Sequence, residues 1–61
     1  MATRVLVVED DERIRSAVRL ALEEEGYAVD EAETSERGLE RFSERAADVV
    51  LVDIMLPGLD G

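Results

Sequence analysis

The stretch "VLVVEDDE" (residues 5–12) sets four apolar side chains directly before four carboxylates. A dense Val and Leu run is what a strand buried on both faces of a parallel sheet requires. Unpaired charge is costly in such surroundings. Residues 4–8 (RVLVV) therefore read as a buried first strand, and the acids as groups it delivers to the edge of the sheet. "VVLVDIMLPG" (residues 49–58) repeats the pattern with a single acid, Asp53, behind its apolar run.

Outward from the first strand the period changes. Ile14, Ala17, Val18, Ala21 and Leu22 follow the i, i+3, i+4 spacing of an amphipathic helix. Asp10 or Asp11 serves as its N-cap, and Gly26 stands where a glycine ends a helix. Residues 27–32 (YAVDEA) alternate weakly and predict a second, more exposed strand. Thr34 and Ser35 are cap candidates for a shorter helix with Leu39 and Phe42 inward. Gly38 lowers that helix's intrinsic preference by up to ~1 kcal/mol relative to Ala. Residues 48–53 (DVVLVD) give a third strand, and "LPGLDG" (residues 56–61) reads as a loop. The order β-α-β-α-β predicts an α/β domain with a parallel sheet and right-handed crossovers.

Sixty-one residues suffice for one small domain, which at this size buries only about 60% of its unfolded surface. The sequence has no Cys or His, so disulfides and zinc sites are excluded as staples. Seven basic against sixteen acidic residues give a net charge of −9, the opposite of what a phosphate-binding surface needs. No nucleic-acid contact is expected from this segment. Without a signal peptide pattern or a run near ~20 apolar residues, no membrane association is expected, and the location expected is cytoplasmic.

Parallel strands joined by helices all point the same way. The carboxyl ends of the first and third strands thus share one edge, carrying Glu9 and Asp10 on one tip and Asp53 on the other. Open α/β sheets bind ligands along that edge. Three carboxylates are hard oxygen donors suited to Mg²⁺ or Mn²⁺. Without a cation they repel one another. An Asp beside such an ion can act as a nucleophile, since carboxylates form acyl phosphates. The plainer reading of residues 9–12 is helix capping. Asp53, alone after an apolar strand and with Ile-Met-Leu behind it, is harder to explain as a surface acid.

"VLVVEDDERIR" (residues 5–15) and "LVDIMLPGLDG" (residues 51–61) together resemble the first half of a response-regulator receiver domain, most closely receivers of winged-helix transcription regulators. The shared signature is an acidic pair ending strand 1, an Asp ending strand 3, and Asp-x-x-Leu-Pro-Gly-x-Asp-Gly from that Asp onward. The resemblance implies a βαβαβ half of a flavodoxin-like parallel sheet, strand order 2-1-3, truncated after strand 3, with residues 1–61 forming a partial receiver domain. It implies that Asp53 is the phosphoacceptor, taking a phosphoryl group from a sensor histidine kinase. Asp10 would bind Mg²⁺ directly, Glu9 through water, and Met55 through its backbone carbonyl, with Asp53 completing the set. Pro57 and Gly58 would shape the following loop. The implied protein is a phosphorylated switch in a two-component system, not an enzyme, with a DNA-binding output domain elsewhere in the full-length chain.

The family's further strands supply a hydroxyl, a Lys and a switching aromatic residue that residues 1–61 do not contain; there is no Lys among them. These residues alone are therefore expected not to switch. Strand 3, central in the family, would be an exposed hydrophobic edge. Such an edge templates pairing with another chain, so self-association through strand 3 or exchange of elements is expected.

Three other classes compete with this reading. A self-assembling structural fragment would leave the acids without signalling work. A haloacid-dehalogenase-type phosphotransferase would need a second Asp where Met55 stands. A dinucleotide-binding fold fails because "EDDERIR" (residues 9–15) has no glycine to admit a pyrophosphate. Arg13, Arg15 and Arg19 read as the solvated face of the first helix, with Arg15 a possible kinase contact, and residues 23–25 as a solvated helix end. Tyr27 and Phe42 read as packing residues.

Overall fold

The computed structural model describes residues 2–52. Its elements run β1 (Arg4–Val8), α1 (Glu12–Glu24), β2 (Ala28–Ala32), α2 (Ser35–Glu44) and β3 (Val49–Val52). The three strands form one parallel sheet in the order β2-β1-β3. β1 is central, with Val5 opposite Val29 and Val49, and Val8 opposite Ala32 and Val52. Val5, Leu6, Val7 and Val8 are all buried, as a strand covered on both faces should be. Among the described residues no helix is long and apolar enough to cross a membrane.

Asp11, rather than Asp10, caps α1: its carboxylate accepts the N–H groups of Arg13 (2.9 Å) and Ile14 (3.4 Å). At the other end Gly26 takes φ +95°, a left-handed backbone that glycine adopts without steric cost. This lets the Gly26 N–H reach the Glu23 carbonyl and the Tyr27 N–H reach the Leu22 carbonyl, so two carbonyls of the last turn are satisfied. Tyr27 is thereby used in closing the helix, and β2 starts one residue later than its alternation suggests. Thr34 caps α2 through its hydroxyl, which accepts the Arg37 N–H at 3.1 Å. The third strand begins after Asp48, whose carboxylate accepts the Arg4 N–H while its own N–H donates to the Arg4 carbonyl.

The two helices lie on opposite faces. Glu31 meets arginines of α1, whereas its neighbour Ala32 lies with Val8 under α2. The reason α2 sits so low is Gly38. A Cβ built there would stand 2.9 Å from Val8 Cγ2 and 3.9 Å from Ala32 Cβ. The residue that weakens the helix in isolation is thus the one that lets it touch the sheet.

Leu39 and Phe42, expected inward, are instead exposed, Leu39 at 72%. Both border an open apolar groove with Val50 and Val52 on the far side. On the opposite face Ile14 and Val18 border another with Val7 and Leu51. Each helix is seated over β1 and β2, and neither closely approaches β3. All four β3 side chains are exposed, between 41% and 48%. The expected hydrophobic edge is present, and its faces are open as well.

Replacing Gly38 with Ala should lower stability by about 1 kcal/mol in urea denaturation, because overpacking against the β-branched Val8 outweighs the gain in helix preference. A stabilised Gly38→Ala variant would show that α2 does not depend on this close approach.

Candidate functional site

Val8 is the last residue of β1 and pairs with Val52, the last of β3. The two strands are therefore neighbours whose carboxyl ends finish level on one edge. Glu9 and Asp10 follow one of them. Asp53 follows the other in sequence, but it lies outside the described residues, as do Met55, Pro57 and Gly58. Among the described residues no group of three or more potential metal ligands is assembled.

Glu9 is the anomaly of this edge. It is 5% exposed, the one buried charged residue of the described chain. Its N–H continues the ladder by donating to the Ala32 carbonyl at 3.0 Å. Its Oε2 accepts the Asp11 N–H at 3.0 Å, while Oε1 is buried and has no hydrogen-bond partner among the described residues. A buried carboxylate oxygen left unpaired carries a desolvation cost unless something else satisfies it. Asp10 is exposed on the same turn, and because Asp11 does the capping, Asp10 is not consumed by the helix.

The arginines of α1 divide in a way the sequence does not announce. Arg13 is solvated, with its side chain 93% exposed. Arg15 is drawn in to 14% exposure, against the expectation of an outward face. It donates from one terminal nitrogen to the Glu9 carbonyl (2.9 Å) and from Nε to Glu31 Oε1 (3.2 Å). Arg19 Nε lies 3.2 Å from Glu31 Oε2 as an ion pair, without hydrogen-bond alignment. The available signal was the i, i+4 spacing of Arg15 and Arg19 together with Glu31, which alternation puts on the same face of β2 as apolar Val29.

This edge thus gathers oxygen donors at the tip of a buried strand, stiffened by a ladder hydrogen bond and an arginine. Comparison with known proteins agrees with it. The family model for the response regulator receiver domain matches residues 5–61. The transcriptional regulatory protein ResD of Bacillus subtilis is 46% identical, over 97% of this chain and 25% of its own length. CseB of Streptomyces coelicolor, also a transcriptional regulatory protein, is 52% identical over 97% of this chain and 25% of its own. The KDP operon transcriptional regulatory protein KdpE of Escherichia coli is 48% identical, covering 97% and 26% respectively. The chain spans about a quarter of the length of these curated relatives. Sheet order, strand-end acids and family match agree, and the chain belongs to the response regulator receiver domain family.

Proposed function

We propose that this chain carries the phosphoacceptor site of a two-component response regulator, with Asp53 receiving a phosphoryl group from the phosphohistidine of a sensor histidine kinase. The level ending of β1 and β3 carries this reading, since Glu9 and Asp53 directly follow the paired residues Val8 and Val52. In the transfer a carboxylate oxygen of Asp53 bonds to phosphorus as the phosphorus–nitrogen bond to the histidine ring breaks. The ring nitrogen keeps the electron pair and takes up a proton. The phosphoryl group stays on the protein's own side chain, so the full-length protein works as a switch rather than an enzyme.

The donor set suits Mg²⁺ or Mn²⁺: it consists of hard oxygens, and the buried Glu9 Oε1 has no hydrogen-bond partner among the described residues. Asp10 and Asp53 would hold the ion directly, Met55 through its backbone carbonyl, and Glu9 through water. When bound, such an ion offsets the negative charge of the carboxylates and of the incoming phosphoryl oxygens. The output, in this reading, is transcriptional and belongs to the full-length protein in the cytoplasm. A net charge of −9 gives this segment no phosphate-binding surface for DNA. With no Lys in residues 1–61, these residues alone do not switch.

Acetyl phosphate with Mg²⁺ should add one phosphoryl group to the protein by intact mass, and neither Asp53→Asn nor addition of EDTA should permit it. Equal labelling of wild type and Asp53→Asn, or of neither, would remove Asp53 as acceptor.

The open β3 supports a second reading for residues 1–61 in isolation. With Val49, Val50, Leu51 and Val52 exposed on an edge strand, they pair with a second copy through β3 or exchange elements with it. Sedimentation of the 61-residue peptide should show a concentration-dependent dimer that Leu51→Lys disperses. A compact monomer across the same range would refute the pairing.

A further inference from the structure

The turn between β1 and α1 is held from two directions. The Glu9 N–H is tied to the Ala32 carbonyl at the end of β2, and the Glu9 carbonyl accepts from Arg15 at 2.9 Å. That carbonyl belongs to the planar peptide unit linking Glu9 to Asp10. Fixing its oxygen therefore fixes the direction in which Asp10 leaves the strand. It also steadies the backbone from which the buried Glu9 carboxylate extends.

Arg15 is itself oriented. Its Nε donates to Glu31 Oε1 at 3.2 Å, and Arg19 occupies the other oxygen of Glu31 at the same distance. Glu31 sits on β2 opposite Val7, one step below the level where the sheet ends. One guanidinium thus joins α1, the tip of β1 and β2. The task needs donors on two edges of a rigid plane, which an ammonium group does not offer. A solvated ion pair would constrain nothing; at 14% side-chain exposure this one is largely withdrawn from water.

We propose that Arg15, oriented by Glu31, is a positioning residue for the phosphoryl-transfer site. It acts through the Glu9 carbonyl to hold Glu9 and Asp10 in the arrangement that receives the divalent cation. The inference rests on the site reading given under Proposed function, and it assigns to α1 and β2 a part in that site beyond the acids themselves.

The test uses the full-length protein that contains this chain, with Arg15→Met, Arg15→Lys, Glu31→Gln and, as control, Arg13→Met. Mg²⁺ affinity is measured by calorimetry, exchange of the Asp10 and Asp11 amides by NMR without metal, and thermal stability alongside. Arg15→Met should weaken Mg²⁺ binding about tenfold, the usual scale for losing a partner behind a metal ligand, and should speed exchange of the Asp11 amide. Arg15→Lys should restore only part of both, Glu31→Gln should fall between, and Arg13→Met should match wild type. If Arg15→Met fails to fold, Arg15→Lys and Glu31→Gln carry the same comparison. Wild-type Mg²⁺ affinity and amide exchange in the folded variants, with only thermal stability reduced, would overturn the proposal while leaving the site reading intact. A wild-type protein that binds no Mg²⁺ would overturn both.

Discussion

Burial of β1 between β2 and β3 is the constraint on which the rest of this structure depends. Four consecutive apolar side chains, none more than 7% exposed, give the strand its place at the centre of the sheet. At roughly 1.5–3 kcal/mol for each fully buried Val or Leu, this strand outweighs any set of surface ion pairs on the chain. Pairs such as Arg37 with Glu40, both well exposed, add little by comparison. Whatever follows β1 is then delivered to a defined point on the sheet edge. Glu9 is buried because it extends the strand, and its N–H still belongs to the ladder.

From that strand the site is built outward by short, local devices. Asp11 ends the turn by capping α1, which leaves Asp10 free of that duty. Glu9 keeps one carboxylate oxygen on the Asp11 N–H and one without a partner among the described residues. Leaving a buried carboxylate oxygen unpaired carries a desolvation cost, so Glu9 adds less to the stability of this turn than a fully bonded group would.

The helices illustrate how packing redistributes roles that local preference assigns. Gly38 is a poor helix residue and a necessary contact residue, because α2 approaches Val8 more closely than a methyl group allows. Seated there, α2 covers β1 and β2 and leaves Leu39 and Phe42 bordering an open groove beside β3. The apolar stripe of α1 overhangs the opposite groove in the same manner. Both helices carry apolar surface that the described three strands leave uncovered.

What the sequence determined by itself was everything governed by periodicity and punctuation. The Val-rich runs declared strands, the i, i+3, i+4 stripe declared α1, Gly26 declared where it ends, and Thr34 and Ser35 marked where α2 begins. The acids after β1 stood out as a cluster, but capping explained them as readily as a site did, and the structure gives the capping to Asp11. Tertiary structure alone decided the choice of Asp11 over Asp10 as cap, the inward turn of Arg15, and the exposure of Leu39 and Phe42. The inward turn of Arg15 and the exposure of Leu39 and Phe42 depend on distances between elements far apart in the chain, whereas the cap is settled within the turn itself. A helical arginine has the same spacing whether it faces water or a glutamate on the neighbouring strand, and only the close seating of α1 on β2 distinguishes the two.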